Sequence, residues 1–202
     1  TSLACRIETF PRHKLQGRIM APDSVNVLIT GGAGFIGSHL AEALLDQGQQ
    51  VTVLDDLSTG NIDNLQSVMD RPAFRFILGS VENSSDLGAL VTWADTVFHL
   101  AATVGVELVL QQPVQTIETN VHGTEQVLRY AGLSSTRVVV ASTSEVYGRA
   151  DAPEFSETDD LLIGPPTHAR WSYAASKALD EYLALAYHRE GKINTTIVRF
   201  FN

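Results

Sequence analysis

Glycines at fixed spacing near the start of the chain constrain its fold more than any other feature. They stand in Thr30-Gly31-Gly32-Ala33-Gly34-Phe35-Ile36-Gly37, directly after the apolar run 25–30 and directly before a helical pattern over 35–47. Glycine permits a sharp turn, and the missing Cβ allows close approach of backbone or ligand. The sequence therefore predicts a strand, a tight turn and a helix in immediate succession.

The same alternation of short apolar runs and longer helical patterns continues along the chain. Further strands are predicted at 50–54, 74–78, 95–100, 137–141 and 195–200, with helices at 114–131 and 171–189. This pattern is typical of a parallel sheet covered by helices on both faces. Right-handed crossovers then give an α/β, doubly wound, Rossmann-type fold. We expect residues 23–202 to form this domain and residues 1–22 to be an extension outside it.

The glycine loop also predicts a ligand. Gly31 permits the turn, Gly34 leaves room for a pyrophosphate, and Gly37 lets the helix pack against the strand. The helix N-terminus offers N–H donors and a partial positive charge to that anion. Asp55 ends the next strand roughly 20 residues on, where a carboxylate binds ribose hydroxyls and repels a 2′-phosphate. With Asp56 beside it, NAD is predicted rather than NADP, the alternative being that the two acidic residues only open a turn.

Two further segments predict catalytic side chains. Tyr173 and Lys177 stand four residues apart on a predicted helix and therefore share a face. We expect the ammonium to lower the phenol pKa from about 10 toward neutrality, so that the phenolate accepts a proton from a substrate hydroxyl. Strand five ends in Ser142-Thr143-Ser144-Glu145, whose hydroxyls are expected to point into the crevice and hold the reacting oxygen. The alternatives are an ordinary helix surface and a solvated turn.

Composition excludes several other classes of function. The net charge is −9, and no cluster of Lys and Arg suited to a phosphate backbone occurs, so nucleic-acid binding is not expected. No apolar run approaches the ~18 residues of a membrane span. Cys5 is the only cysteine, which excludes an internal disulfide and favours a cytoplasmic location. We predict no metal site.

Six motifs occur together and in order between Val25 and Asn202. They are Thr30 to Gly37, His99-Leu100-Ala101-Ala102, Asn120-Val121-His122-Gly123-Thr124, Ala141 to Gly148, the Tyr173/Lys177 pair and Arg199-Phe200-Phe201-Asn202. As a set they resemble the extended short-chain dehydrogenases that epimerise, dehydrate or decarboxylate nucleotide sugars. The resemblance implies a further C-terminal lobe for the sugar, and we expect this chain to stop before that lobe. It also implies a homodimer formed through helices 114–131 and 171–189.

The resemblance also implies a role at each matched position. Tyr173 would be the base, Lys177 its partner, Thr143 the hydroxyl that holds O4, and Glu145 a further catalytic group. The implied NAD contacts are Gly31, Gly34, Phe35, Ile36, Gly37, Asp55, Asp56, Leu57, Ser58, Gly60, Ser80, Val81, Leu100, Ala101, Ala102, Asn120, Ser142, Tyr173, Lys177 and Phe200. The implied nucleotide-sugar contacts are Thr143, Ser144, Glu145 and Asn202. His99 is expected to pack at its strand end rather than to act in catalysis.

The implied reaction is an NAD-dependent modification of a nucleotide sugar that starts with oxidation at carbon 4. Glu145, two residues after Thr143, resembles NDP-glucuronate decarboxylases, in which it would assist proton transfer. By contrast, the motifs at 55–60 and 104–106 resemble UDP-glucose 4-epimerases. We expect decarboxylase or dehydratase chemistry ahead of epimerisation. A non-catalytic NAD-binding module is the alternative class of function.

Overall fold

The computed structural model describes residues 24–103, 111–149 and 154–201. The strands are β1 Asn26–Thr30, β2 Gln50–Asp55, β3 Phe74–Leu78, β4 Thr96–His99, β5 Arg137–Thr143 and β6 Thr195–Phe200. The α-helices are α1 Phe35–Asp46, α2 Leu87–Trp93, α3 Pro113–Ser134 and α4 Trp171–Arg189, and 3₁₀ turns lie at Ile62–Leu65 and Ser144–Tyr147. The predicted extension 1–22, the motif at 104–106 and Asn202 lie outside the described residues.

All six strands are parallel and form one sheet in the order β3-β2-β1-β4-β5-β6. This arrangement confirms the predicted doubly wound fold. At the carboxyl end of β1, Thr30 pairs with Leu54 on one side and with His99 on the other. The strand order reverses between β1 and β4, and the loops that follow these strands diverge there. Such a switch point is where doubly wound sheets offer a ligand crevice.

The two faces of the sheet are covered by different helices because side chains alternate along each strand. Val27 and Ile29 of β1 face one apolar cluster, which includes Ala41 and Leu45 of α1. Leu28, between them, faces a second cluster formed with residues of α2, α3 and α4. The central strands β1 and β2 are therefore buried on both sides, which explains their largely apolar sequences.

The element boundaries differ from the predicted ones at two informative places. β5 extends to Thr143 and so carries the Thr143 hydroxyl on the strand itself. α2 was not predicted, because seven residues show only two turns of the apolar pattern, at Leu87, Leu90 and Val91. In the described part of the chain, none of the helices combines the length and the apolar character that crossing a bilayer requires.

Candidate active site

A cavity of about 890 Å³ opens at the carboxyl ends of the central strands. Its volume is typical of sites that bind small molecules or cofactors. Most of the residues predicted as site residues line it together. They are Gly31, Gly34, Phe35, Ile36, Gly37, Asp55, Asp56, Ser58, Gly60, Ser80, Val81, Leu100, Ala101, Ala102, Ser142, Thr143, Glu145, Tyr173, Lys177 and Phe200.

The glycine loop forms one wall of the cavity, and two of its glycines are required by the backbone itself. Gly31 has a φ of +72°, and a Cβ there would lie 2.6 Å from the Ala101 nitrogen. A Cβ at Gly37 would lie 2.6 Å from the Gly31 carbonyl oxygen, so this glycine lets α1 pack onto the loop. Neither position accepts a side chain without moving backbone.

Gly34 serves a different purpose, because its surroundings on the protein side are open. A Cβ there would meet only the Gly31 carbonyl oxygen, at 3.4 Å, which is ordinary contact. Gly34 is also the N-cap of α1, and no side chain caps this helix or places an acidic group in its first turn. The first N–H groups of α1 therefore face the cavity without a competing acceptor, an arrangement that fits a phosphate.

Asp55 fixes the shape of the cavity at the end of β2. Its Oδ2 accepts a hydrogen bond from the Ala33 N–H at 2.9 Å, and its Oδ1 accepts one from the Leu57 N–H at 2.8 Å. The carboxylate thus ties the glycine loop to the loop after β2. Each oxygen retains a second lone pair for a ligand hydroxyl. The two roles predicted for Asp55 as alternatives, shaping a turn and binding ribose hydroxyls, are therefore compatible.

Thr143 and Glu145 reach the cavity through the end of β5. The Thr143 hydroxyl accepts a hydrogen bond from the Glu145 N–H at 3.2 Å and thereby caps the short 3₁₀ turn that follows. This cap places the half-buried Glu145 carboxylate in the cavity wall. On α4, Tyr173 and Lys177 line the same cavity. All four predicted catalytic side chains therefore share one space.

The expected lowering of the Tyr173 pKa is wrong. Burial, together with the negative charges of Glu145 and Asp180, raises the pKa of the phenol to about 12. A hydrogen bond with the Thr143 side chain opposes this increase. Lys177 does not reverse it, because its Nζ donates to Asp180 Oδ2 at 2.8 Å in a buried ion pair. Sequence reasoning missed Asp180, which stands only three residues after the lysine.

His99 packs at the end of β4, as expected. Its Nδ1 lies 2.8 Å from the Thr30 hydroxyl and its Nε2 lies 3.0 Å from the Thr124 hydroxyl. Complete burial, with a smaller contribution from the positive charge of Lys177, lowers the His99 pKa to about 3. The imidazole is therefore neutral at physiological pH and joins β1, β4 and α3 beneath the cavity floor.

A second buried polar group, Glu181, lies next to the end of β5. Glu181 of α4 accepts hydrogen bonds from the Ser142 hydroxyl at 2.5 Å and from two Arg199 nitrogens at 2.9 and 2.6 Å. Such a bidentate Arg–carboxylate pair is geometrically specific. It joins α4 to the ends of β5 and β6, the two strands on that side of the cavity.

Three of the predicted contacts do not line the cavity. Asn120 is buried behind the wall, where its Oδ1 accepts a hydrogen bond from the Thr103 N–H at 2.7 Å. Leu57 packs against the apolar cluster on the α1 face, and Ser144 lies within the 3₁₀ turn. In addition, the cavity is lined by residues that sequence reasoning missed: Leu54, Thr59, Gly79, Thr103, Thr119, Ala141, His168, Ala169 and Arg170.

The fold and the cavity define a class of protein, the doubly wound α/β domains with a glycine-rich first loop. A family model described as GDP-mannose 4,6 dehydratase matches residues 28–202. The chain belongs to this family and, with it, to the extended short-chain dehydrogenases that include nucleotide-sugar epimerases, dehydratases and decarboxylases.

Two curated relatives that are similar in sequence are both named decarboxylases. UDP-N-acetyl-alpha-D-glucosaminuronate decarboxylase of Bacillus cytotoxicus is 44% identical over 175 residues, which are 87% of this chain and 53% of that protein. UDP-glucuronic acid decarboxylase 6 of Arabidopsis thaliana is 35% identical over 89% of this chain and 51% of its own length. The chain thus spans about half the length of these curated relatives.

Solved structures extend the comparison. DesIV, a dTDP-glucose 4,6-dehydratase from Streptomyces venezuelae with NAD and TYD bound, superposes with a TM-score of 0.78 at 36% identity, over 86% of this chain and 55% of that one. UDP-N-acetylglucosamine 4-epimerase from Methanobrevibacter ruminantium M1 gives a TM-score of 0.80 at 29% identity, over 89% and 55% of the two chains.

Proposed function

We propose that residues 23–202 form the NAD-binding and catalytic part of an enzyme that modifies a nucleotide sugar by transient oxidation at carbon 4. One observation carries this proposal: the glycine loop, Asp55 and the Tyr173/Lys177 pair line a single continuous cavity. A non-catalytic module would need only the first two of these features. We further propose a cytoplasmic location, which the single cysteine favours.

The residues present fit NAD. The uncapped N-terminus of α1 and the open space at Gly34 suit its pyrophosphate, and Asp55 suits the adenosine ribose hydroxyls. Asp56 adds negative charge that disfavours the 2′-phosphate of NADP, and we assign the nicotinamide end to the neighbourhood of Phe200. When bound, NAD would supply the hydride acceptor for oxidation of the sugar.

The side chains of the chain then supply the proton chemistry. The Thr143 hydroxyl holds O4 of the sugar, and Tyr173 accepts the O4 proton as the carbonyl forms. Burial and the charge of Glu145 hold the Tyr173 pKa at about 12, so formation of the phenolate requires positive charge close to the hydroxyl. Lys177, one helical turn further along α4, lines the same cavity and is the cationic side chain that we assign to this task.

A nucleoside diphosphate uronate is the favoured substrate. A 4-keto group stands β to the uronate carboxylate, so the bond to that carboxylate breaks readily and carbon dioxide leaves. The carbon that remains must then take up a proton, and Glu145 is the acidic side chain in the cavity wall next to Thr143. The two relatives named above with 44% and 35% identity are both called decarboxylases, which supports this choice.

Product analysis of the full-length protein tests the proposal. We expect UDP-glucuronate or its 2-acetamido analogue to yield carbon dioxide and a nucleotide-bound pentose, with no net consumption of NAD. Glu145→Gln should strongly slow formation of the nucleotide-bound pentose, because the remaining carbon lacks its proton donor, whereas the matched exposed variant Glu154→Gln should not. Conversion of UDP-glucose to UDP-galactose instead would establish 4-epimerase chemistry, which the similarity to epimerase structures keeps as the second candidate. Binding of NAD without any turnover would contradict both.

A further inference from the structure

Behind the cavity wall, the ammonium of Lys177 is held by a buried carboxylate. The Lys177 Nζ lies 2.8 Å from Asp180 Oδ2, and the two residues are only 2% and 1% exposed. Removing two charges from water is costly, and the pair repays that cost only through close, well-formed contacts. Lys177 therefore has a defined anchor on the protein side before any ligand enters the cavity.

A chain of buried polar groups lies close to the same carboxylate. Thr30, His99 and Thr124 follow one another at hydrogen-bond distances of 2.8 and 3.0 Å. Burial raises the pKa of Asp180, whereas the charge of Lys177 and the nearby Thr124 hydroxyl lower it. Asp180 Oδ1 is buried without a hydrogen-bond partner among the described residues, so the contact between Oδ2 and Lys177 is the one that holds this carboxylate.

We propose that Asp180 is a positioning residue for Lys177: its carboxylate anchors the ammonium and sets how much of the lysine charge acts on Tyr173. This inference rests on the proposed catalytic role of the Tyr173/Lys177 pair. It adds a residue that does not line the cavity. The carboxylate holds the lysine from behind and partly neutralises its charge.

The charged groups around Tyr173 determine the direction of the expected effect. Glu145, on the turn after β5, and Asp180, on α4 itself, both place negative charge near the phenol. His168 and Arg170, from the segment before α4, line the same cavity. Neutralising Asp180 removes one negative charge and also releases the full charge of Lys177, so both consequences favour the phenolate.

Titration of Tyr173 by NMR tests the proposal in this chain. The chain has five tyrosines, so ¹³C-labelled tyrosine gives few signals, and loss of one signal in Tyr173→Phe assigns it. We expect Asp180→Asn to lower the Tyr173 midpoint by ~1 pH unit. Glu190→Gln makes the same change of charge at the exposed end of α4 and should leave the midpoint unchanged. An unchanged midpoint in folded Asp180→Asn would overturn the proposal.

A double-variant comparison separates action through Lys177 from a direct effect of Asp180 on Tyr173. In a Lys177→Met background, adding Asp180→Asn should shift the midpoint by less than half as much as it does with Lys177 present. An equal shift in both backgrounds would mean that Asp180 acts on the phenol by itself, and the positioning role would be wrong.

A measurement on the unmodified protein covers the case in which Asp180→Asn does not fold. The chain has only three lysines, so ¹⁵N-lysine NMR resolves their ammonium groups. Lys177 should give an ammonium signal that exchanges slowly with water, whereas Lys192, which is paired with Glu190 at the surface, should exchange fast. Equal exchange at both lysines would overturn the proposal. Failure of NAD to bind would instead contradict the proposed function and leave this result intact.

Discussion

Several side chains of the cavity perform two tasks with one functional group. The Thr143 hydroxyl caps the 3₁₀ turn that carries Glu145 and is also in contact with the cavity. Asp55 ties two loops together while keeping lone pairs available for a ligand. Substitutions at these positions would change both the shape of the cavity and its ligand contacts, so they cannot test one separately from the other. Tyr173 is a better test, because its hydroxyl can be removed with the ring left in place.

We predict that Tyr173→Phe abolishes sugar oxidation in the full-length protein, with turnover reduced by a factor of at least about 10². NAD affinity should stay within about twofold, because the ring and its packing are retained. Turnover is measured by product formation and affinity by calorimetry. Tyr187→Phe, which removes a hydroxyl from the same helix outside the cavity, is the control. Undiminished turnover in Tyr173→Phe would refute the assignment of the base.

His99 gives a prediction about stability against pH. Its folded pKa of about 3 lies below the unfolded value of 6.5, so the unfolded chain binds more protons between these values. The His99 contribution to the free energy of unfolding is therefore complete above pH 6.5. It falls by about 1.4 kcal/mol per pH unit as the pH decreases from 6.5 toward 3.

Urea unfolding at pH 7 and pH 5 measures this contribution. His99→Gln keeps a polar group between Thr30 and Thr124 but cannot take up a proton, so its stability should decrease less between the two pH values. His122→Gln removes an exposed histidine that pairs with Glu125 at the surface. Its loss of stability between the two pH values should equal that of the wild type. The assignment fails if His99→Gln and the wild type lose equal stability.

Among the helices and strands, the start of α1 offers the sharpest test, because neighbouring glycines have opposite surroundings. Gly34→Val should fold, since the φ of −76° suits any residue and a Cβ there meets no close atom. Its side chain would occupy the cavity and weaken NAD binding by more than about tenfold, or about 1.4 kcal/mol. Unchanged affinity by calorimetry would count against the pyrophosphate site.

Gly37→Ala should have the reverse effect. Its Cβ would lie 2.6 Å from both the Gly31 oxygen and the Gly32 Cα, which are backbone atoms. The new methyl group would push α1 away from the loop. We therefore expect Gly37→Ala to lower the melting temperature, with any loss of ligand affinity a consequence of that change. Equal stability of the Gly34 and Gly37 variants would contradict this division of roles.

The sheet could be predicted from the sequence because the signals for its strands and turns are local. Apolar runs marked each strand, and the glycine spacing marked the β1–α1 turn, where a positive φ at Gly31 confirms the need for glycine. The short helix α2 has too few turns for its pattern to be distinctive. Topology then brought most of the predicted site residues together, because parallel strands end at one edge.

The electrostatics of the site could not be read from the sequence. Lys177 and Asp180 are three residues apart, a spacing that on most helices gives an exposed pair of little consequence. Only the packing of α4 against α3 and β5 shows that both groups are buried. The same applies to Asn120, whose side chain turns to the Thr103 backbone instead of the cavity. Burial depends on distant elements, and local spacing does not report it.

The outer faces of α3 and α4 suggest how two copies of the whole chain associate. Val114 and Ile117 on α3 and Leu179 and Tyr182 on α4 are large apolar or aromatic side chains exposed to solvent. We propose that they form a homodimer interface. Analytical ultracentrifugation should show a dimer for the wild type and a monomer for Leu179→Glu with Tyr182→Glu. Exposed Leu133→Glu, near the far end of α3, is the control, and a persistent dimer in the double variant would exclude this face.

The strand order has a consequence for the behaviour of the chain in solution. Because β1 lies between β2 and β4, the cavity draws its walls from segments as far apart as Gly31 and Phe200. The cavity is complete only when these segments are assembled, so we expect a ligand to bind the folded form in preference to the unfolded chain. By mass action, ligand at 100 times its Kd raises the free energy of unfolding by about 2.7 kcal/mol. Amide hydrogen exchange should then slow across the whole sheet, including the edge strand β3, far from the catalytic tyrosine.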